Sequence, residues 1–564
     1  MNLFLSKLYR GAGLFVCGLL LVARGVHAQV PLRIGQNFTG STYSVNTQVT
    51  PADANGAVGP NHFMEFINGT VAVYNKANGS NVQRKTNLKF WSDAGLIISP
   101  DSDVTDPRVI YDPVSQRWFA SQVDFDASAA VNGLDPTLEA NDFLIAVSTT
   151  QNPNGSWIGF MFQADPDTGD FADFPTLGVD ARGVYLSGDM LRGEASPIGP
   201  GLVSIPKADL IALTPTVTNR TWFGVLGYAS RGQVLQPATC FDGSISGVIL
   251  SMGDIGTDSN PHSNLVSFVV QNPDTAAATL TAPSSIGVIP YVVPFNTDMD
   301  VPLFSAVQPD GTQTLQANDA RLSAKVYAVG GVLFATHNTE INNHIAIRWY
   351  RINAATLAVL ETGTLSDPNL DLFFPSIAAN SNGVVVIGYN SSGLNENISC
   401  WAVAGQTVNG TTTFGSPMLL QSGVASYHDA GEIIAQLQDD PVVDSRWGDY
   451  SSLSVDPLDS TRFWSIQMYP SDFDPDFGLG IWSTQITELL TGPPSPLLSI
   501  ALAGNNVMLS WSNSAAGYQL QSSTNLIAAA TWSTLAQTPV TNGVLVSSLV
   551  QISGRQQFFR LFHP

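Results

Sequence analysis

The chain has few cysteines and little positive charge. Three cysteines occur in 564 residues, and 23 Lys and Arg stand against 45 Asp and Glu, which gives a formal net charge of −22. Nucleic acids and anionic membrane surfaces are bound through Lys and Arg contacts, so we predict no nucleic-acid partner. Metal cations stay open as partners of such an acidic chain. Cys240 and Cys400 lie in apolar runs of non-adjacent repeats, so we predict buried thiols and no disulfide.

Long hydrophobic runs are also scarce, and the one at the start, Leu14–Val22, is too short to cross about 30 Å of hydrocarbon. Lys7 and Arg10 precede it and small residues ending at Ala28 follow it, a pattern typical of a cleaved secretory signal peptide over residues 1–28. A membrane anchor is the alternative. The segment holds three cations and no acid, so its removal changes the formal charge from −22 to −25. We predict a protein that is secreted or on the cell surface, with no membrane span after cleavage.

Local signatures of catalysis are missing. The chain has no Gly-rich phosphate loop, no G-x-S-x-G elbow, no H-E-x-x-H and no paired Cys motif. These absences exclude little, because a site assembled from distant parts of a repeat protein leaves no local signature.

A short pattern recurs seven times. Its fullest copy is Tyr450–Trp464, in which an apolar run, a turn with Asp or Gly and a run rich in Val, Phe and Trp predict a β-hairpin. The other copies are Asn55–Phe66, Asp106–Phe119, Phe174–Tyr185, Pro237–Leu250, Arg321–Phe334 and Phe374–Val385. Two more strand-like runs follow each copy, as at Phe143–Thr149 and Trp157–Phe162. Four strands per repeat predict an all-β fold with a seven-bladed β-propeller over residues 29–490.

The two ends of this region complement each other. Leu32–Tyr43 is a strand-like run without a hairpin partner, and the last repeat has only three strands, so we predict that the N-terminal run supplies its fourth strand.

Residues 491–496 are a Pro-rich linker. Residues 497–564 alternate apolar and polar residues, which predicts a small immunoglobulin- or fibronectin-like β-sandwich with Trp511 in its core.

Carboxylates precede the predicted innermost strand in six of the seven repeats. They are Asp53, Asp106, Asp173, Asp319, Asp371 and Asp449. The innermost strands of a propeller begin at one end of its channel, so these residues are expected to converge there. We predict a ligand-binding mouth made of Asp106, Arg108, Asp173, Asp319, Arg321, Arg446, Trp447 and Asp449, with Trp447 as a stacking surface for a sugar. The alternative is that each Asp accepts backbone N–H bonds in a turn.

A second group of carboxylates lies at alternate positions, Asp472, Asp474 and Asp476. This spacing is one with which loops supply oxygen ligands to calcium, so it predicts a candidate structural calcium site. A plain acidic loop is the alternative.

Three stretches carry a resemblance to a known family: P-A-D-A-N-G-A-V-G-P-N-H from Pro51, D-P-R-V-I-Y-D-P-V-S-Q-R-W-F from Asp106 and S-R-W-G-D-Y-S-S-L-S-V-D-P from Ser445. With them the chain resembles exported bacterial β-propeller proteins that are distantly sialidase-like. The tail, with Y-Q-L-Q-S-S-T-N-L and Q-F-F-R-L, resembles the C-terminal β-sandwich of Verrucomicrobia-like secreted proteins. The resemblance implies export from a bacterium. It carries over no catalytic residue, because the Asp-box repeats of sialidases are missing here.

The predicted mouth is compatible with two alternative functions of the protein. The first is a scaffold that binds an extracellular polysaccharide, protein or cell-surface ligand. The alternative is a sialidase-like glycoside hydrolase or lyase, in which one carboxyl group at the same face is the acid and a neighbour is the base or nucleophile.

Overall fold

The computed structural model describes residues 30–132, 134–193, 197–255, 260–294, 305–438, 444–492, 498–512, 518–525, 531–543, 545–551 and 556–562. The predicted signal peptide and most of the predicted linker lie outside the described residues.

Seven sheets of four or five strands occupy the described part of residues 33–490, and we number them in chain order. Sheet 1 contains Asn55–Val58, His62–Ile67, Thr70–Asn75 and Asn81–Lys85. Sheet 2 contains Ser102–Asp112, Arg117–Asp126, Asp142–Ser148 and Trp157–Gln163. Sheet 3 contains Phe171–Val179, Gly183–Leu191, Gly199–Pro206 and Thr221–Val225.

The remaining sheets follow the same plan. Sheet 4 contains Gln233–Pro237, Val248–Met252, His262–Gln271, Thr279–Leu280 and Ser284–Tyr291. Sheet 5 contains Thr239–Cys240, Tyr327–Val329, Val332–Ile341, His344–Asn353 and Val359–Leu365. Sheet 6 contains Asp371–Ala379, Val384–Gly393, Glu396–Val408, Thr411–Phe414 and Met418–Gln421. Sheet 7 contains Ser452–Val455, Arg462–Asp474, Leu479–Leu490 and the N-terminal strand Arg33–Thr42.

The turns of several repeated hairpins explain why the pattern was visible in the sequence. Asp180 accepts the N–H groups of Arg182 and Gly183 at 2.7 and 2.9 Å, and Asp112 accepts that of Val114 at 2.9 Å. A short acidic side chain that bonds to the backbone two residues later favours a tight turn between two strands. All seven predicted hairpins are found, although the fourth begins four residues earlier than predicted, at Gln233.

The fourth copy was misplaced because two of its residues belong to another sheet. Thr239–Cys240 pairs in parallel with Tyr327–Val329 and so joins sheet 5. The apolar run that starts at Pro237 therefore crosses from one sheet to the next.

The inner strand of each sheet is the one that starts its repeat; in sheet 5 it is Tyr327–Val329. Side chains join the inner strands of neighbouring sheets, or the residues just before them, by hydrogen bonds of 2.6–2.9 Å. The pairs are Val109 with Asn55, Arg108 with Pro175, Thr176 with Leu235, Gln236 with Leu322, Ser451 with Phe374 and Ser452 with Gly56. Tyr327 of sheet 5 and Ile377 of sheet 6 share a hydrophobic cluster. The inner strands therefore stand around one axis, the arrangement of a β-propeller.

The N-terminal strand is the outermost strand of sheet 7. It pairs antiparallel with Leu479–Leu490, with Arg33 opposite Leu490 and Phe38 opposite Ile486. This is the pairing that the three-strand deficit of the last repeat predicted. Cys240 and Cys400 are buried free thiols, as predicted.

The described part of the C-terminal region contains two small antiparallel sheets. One holds Ser499–Ala503, Asn506–Ser512, Leu545–Gln551 and Val540–Asn542, and the other holds Ser533–Thr534, Gln519–Ser523 and Phe558–Phe562. Trp511 is 4% exposed and shares a cluster with Leu509, Leu520 and Val550. The aromatic residue expected in this core is therefore in it.

The other elements are short. The helices are Asn87–Asp93, Ala127–Val131, Lys207–Leu210, Tyr228–Arg231 and Ala430–Leu437, with a 3-10 turn at Pro136–Leu138. Ser305–Ala306 pairs with Leu315–Gln316. Within the described ranges, no helix has the length and apolar character needed to cross a membrane.

Candidate ligand site at the propeller mouth

The inner strands begin with an unusual backbone conformation. Asp53, Asp106, Phe174, Val234 and Phe374 have φ values between 47° and 58°, the left-handed region that non-glycine residues rarely adopt. In sheets 2, 3, 4 and 6 a break in strand register accompanies this residue. A bulge of this kind redirects a side chain away from the regular face of its strand. The acids at the strand starts are thereby turned toward the end of the channel, which we call the mouth.

Three carboxyl groups meet at the mouth. One oxygen each from Asp53, Asp106 and Asp449 lies within 4.8 Å of the others. Asn68 holds two of these residues, because its amide nitrogen donates to Asp53 at 2.8 Å and its oxygen accepts the backbone N–H of Asp106 at 3.0 Å. The backbone N–H of Asp449 donates to Asp53 at 3.0 Å. The first, second and last repeats thus contribute to one group.

Three arginines lie around these acids. Arg321 makes a bidentate pair with Asp319 at 2.9 and 2.8 Å, and Arg446 lies 3.6 Å from Asp449. Arg108 is 6% exposed and stacks 3.4 Å above the ring of Tyr450. Stacking on aromatic faces and bidentate pairing hold guanidinium groups in fixed positions, so this charge pattern is preorganised.

Burial and like charge raise several pKa values. Burial raises the pKa of Asp53 well above its usual range, and Asp449 and Asp106 raise it further. Burial, followed by the charges of Asp173 and Asp449, raises the pKa of Asp106 to about 7. Asp173 is exposed, and partial loss of water together with the charge of Asp449 raises its pKa above the usual range. Asp106 is therefore poised to exchange a proton near neutral pH.

Asp189 is a further member that the sequence analysis missed. It stands directly opposite Asp173 in sheet 3 and is 8% exposed. Burial raises its pKa to about 7, against the lowering effect of Arg321. An Asp in the otherwise apolar strand Gly183–Leu191 was the signal that could have revealed it.

The mouth therefore has more acids than cations. Six carboxyl groups, from Asp53, Asp106, Asp173, Asp189, Asp319 and Asp449, face three arginines. The repulsion between these negative charges is reduced when some carboxyl groups hold protons, when they bind a cation, or when they form hydrogen bonds with a polar ligand. Asp173 and Arg446 are the most exposed members, and Asp449 and Arg321 are partly accessible, with side-chain exposures of 16% and 20%.

Two residues expected at the mouth have other roles. Trp447 is 1% exposed, packs edge-on against Tyr427 with ring centres 4.8 Å apart and donates to Asn390, so it cannot offer a stacking surface to a sugar. This corrects the prediction for Trp447, whose ring belongs to the core. Asp371 accepts the backbone N–H groups of Val307 and Ile345, which is the structural role that the alternative interpretation gives to such acids.

The second acidic group is part of a hairpin. Asp472 and Asp474 end the strand Arg462–Asp474, and Asp474 accepts the N–H of Asp476 at 3.0 Å in the turn. Among the described residues, the group of three acids whose oxygens all lie within 4.8 Å of one another is Asp53, Asp106 and Asp449. Calcium binding at Asp472, Asp474 and Asp476 stays a prediction.

No protein-family model and no curated protein matches the chain. Among solved structures, the polysaccharide lyase Uly1 has a TM-score of 0.37 at 12% identity, with 81% of this chain and 100% of that chain covered. The sialidase of Trypanosoma rangeli has a TM-score of 0.30 at 8% identity, with 80% and 54% covered. An exo-β-1,3-galactanase of Clostridium thermocellum has a TM-score of 0.31 at 8% identity, with 94% and 100% covered. At such values the activities of these proteins are not carried over to this chain.

Proposed function

We propose that the chain is an exported seven-bladed β-propeller, closed by its N-terminal strand, that binds an extracellular polysaccharide, protein or cell-surface ligand through the mouth. In this proposal residues 1–28 are removed on export from a bacterial cell. Residues 29–490 form the propeller, residues 491–496 the linker and residues 497–564 an immunoglobulin- or fibronectin-like sandwich.

One observation carries the proposal: acids and arginines from distant parts of the chain converge at the strand starts. Asp53 and Asp449 are separated by almost the whole propeller sequence, yet they are joined by a 3.0 Å hydrogen bond. Carboxylates paired with guanidinium groups recognise hydroxyl-rich and charged ligands through charge-assisted hydrogen bonds. The accessible members Asp173, Arg446, Asp449 and Arg321 supply these groups, and the buried acids Asp53 and Asp106 lie beside them.

A glycan-array screen of protein that starts at residue 29, with and without 2 mM Ca²⁺, tests the proposal. We expect at least one polymer or oligosaccharide to bind, and Arg321→Ala to weaken the binding tenfold or more. Arg182→Ala is the matched control, since Arg182 is half-exposed and paired with Asp274 away from the mouth. Equal losses in the two variants would contradict a site at the mouth.

A second candidate function, glycoside hydrolysis or lysis, is favoured by one observation. Asp106, with a pKa of about 7, has a carboxyl oxygen within 4.8 Å of one of Asp449. Two carboxyl groups about 5 Å apart are typical of retaining glycoside hydrolases, with the protonated one as general acid. A screen on chromogenic glycosides and on uronate polymers, the latter followed by absorbance of unsaturated products, distinguishes catalysis from binding. Turnover that is lost in Asp106→Asn while binding is kept would establish the enzyme.

A further inference from the structure

Below the mouth, the channel contains a second polar region. A cavity of about 20 Å³ is lined by Arg108, Lys325, Asn55, Gln236 and Ser451. A larger cavity of about 150 Å³ begins at the same Lys325 and lies at the far ends of the inner strands, against Tyr111, Thr239, Tyr327 and Asp456. Arg108 connects this region to the mouth, since its charge also acts on Asp106, whereas Lys325 and Thr239 are not among the residues of the mouth.

Two cations share this region, and neither has an ion pair among the residues that the structure describes. Arg108 donates Nε to Pro175 at 2.9 Å and Nη1 to Ser323 at 3.1 Å, both backbone oxygens, while its buried Nη2 has no partner among the described residues. Lys325 Nζ has one distant contact, at 3.4 Å, with Ser454 Oγ. Burial and the charge of Arg108 lower the pKa of Lys325 to about 8, so the two positive charges repel each other.

The carboxylate that lines the larger cavity is already engaged. Asp456 pairs with Lys76 at 2.9 Å and accepts hydrogen bonds from Trp464 Nε1 and Leu458 N. It therefore does not neutralise Lys325. Thr239 Oγ1 lines the same cavity, is buried and has no partner within the described part of the chain.

We propose that the larger cavity binds a small oxygen-bearing anion, such as a carboxylate, beside Lys325 and Thr239 Oγ1, where it compensates the charge that Lys325 shares with Arg108 of the adjoining smaller cavity. Uncompensated charges away from water cost free energy, and an anion that accepts hydrogen bonds from them removes this cost. A cavity of about 150 Å³ holds a molecule about the size of benzene, so the occupant is a small molecule and not a polymer. Lys325 and Thr239 lie outside the mouth, so this proposal does not depend on a ligand bound at Arg446, Asp449 and Arg321.

Thermal unfolding of the full chain at pH 7 and constant ionic strength tests this inference. Acetate, formate, phosphate, sulfate and chloride are titrated separately. We expect a saturable increase of Tm with at least one oxyanion that chloride does not produce. A response to acetate and formate alone identifies a carboxylate site, and a response to phosphate or sulfate identifies an inorganic oxyanion site. An equal response to chloride, or none to any anion, would overturn the proposal.

The variant Lys325→Met keeps the length of the side chain and removes its charge. We expect the variant to bind the anion at least tenfold more weakly than wild type. In anion-free buffer its Tm should equal or exceed that of wild type. Lys89→Met, at an exposed lysine with 62% side-chain exposure, is the control and should keep the full response. A full response in Lys325→Met would refute the site.

A second measurement covers the case in which Lys325→Met does not fold. Native wild-type protein is reductively dimethylated with and without the anion, and labelling of Lys325 is compared with that of Lys89 by peptide mass spectrometry. We expect at least fivefold protection of Lys325 alone. Unchanged labelling of Lys325 would contradict binding beside its amine.

Discussion

Replacing Asp189 by Asn should stabilise the protein, and by an amount that grows with pH. Asp189 is buried opposite Asp173, one of its oxygens has no partner among the described residues, and its pKa is raised from 3.8 to about 7. Folding at neutral pH therefore takes up a proton. Below pH 4 Asp189 is protonated in both the folded and the unfolded state and costs no stability. As the pH rises toward 7, the unfolded state loses the proton first, so the free energy of unfolding falls.

The size of the effect follows from the shift. About three pH units correspond to about 4 kcal/mol between the fully protonated and fully ionised limits. Asn has nearly the same shape and cannot ionise, so Asp189→Asn should exceed wild type by about 4 kcal/mol at pH 8 and by about 1 to 2 kcal/mol at pH 5.

Urea unfolding followed by tryptophan fluorescence at pH 5, 6, 7 and 8 measures this difference in the free energy of unfolding. Asp101→Asn, at an exposed acid, is the control and should change little at any pH. A difference between Asp189→Asn and wild type that is constant with pH, or a variant less stable than wild type at pH 8, would refute the electrostatic description of the mouth.

Three further outcomes are expected. Glu65→Ala should cost about 3–5 kcal/mol in urea unfolding, because it leaves Ser41, Tyr74 and Thr484 without their buried acceptor. Glu139→Ala at an exposed position should cost almost nothing, and equal effects of the two changes would contradict a role for Glu65 in joining sheet 1 to sheet 7. Truncation after Thr491 should leave a soluble protein that unfolds cooperatively, and aggregation would show that the tail belongs to the propeller core. Trp447→Ala should lower stability by about 3–5 kcal/mol in the same assay, and a drop in ligand affinity at unchanged stability would return this ring to the binding surface.

The repeated hairpins were predictable because their signals are local. Asp112 and Asp180 bond to backbone groups two residues away, so the turn and the two strands beside it can be recognised from adjacent residues. The N-terminal strand was predictable for a different reason: a lone strand and a sheet with a missing strand complement each other. The position of Thr239–Cys240 in sheet 5 was not predictable, because it depends on a parallel pairing with residues almost ninety positions later.

The mouth was predicted only in part. The acids before each strand were visible, but burial decided their roles, and burial depends on the assembled sheets. Trp447 and Asp449 are two residues apart, yet one is in the core and the other faces the mouth. Asp189 lies at the mouth because it pairs across two strands with Asp173. Lys325 lies in the channel because the inner strands of several sheets surround it. No local sequence pattern predicts these three placements.

The affinity of Arg446→Ala and Asp449→Asn for the ligand found in the glycan and Ca²⁺ screens tests the central claim most directly. Removing either residue leaves its partner's charge uncompensated at the accessible edge of the mouth, so binding measured by isothermal titration calorimetry should weaken by about 1 to 3 kcal/mol, with the unfolding midpoint unchanged. Arg182→Ala should bind like wild type. Full affinity in both mouth variants, with the ligand still bound, would contradict the claim and place the site elsewhere on the protein.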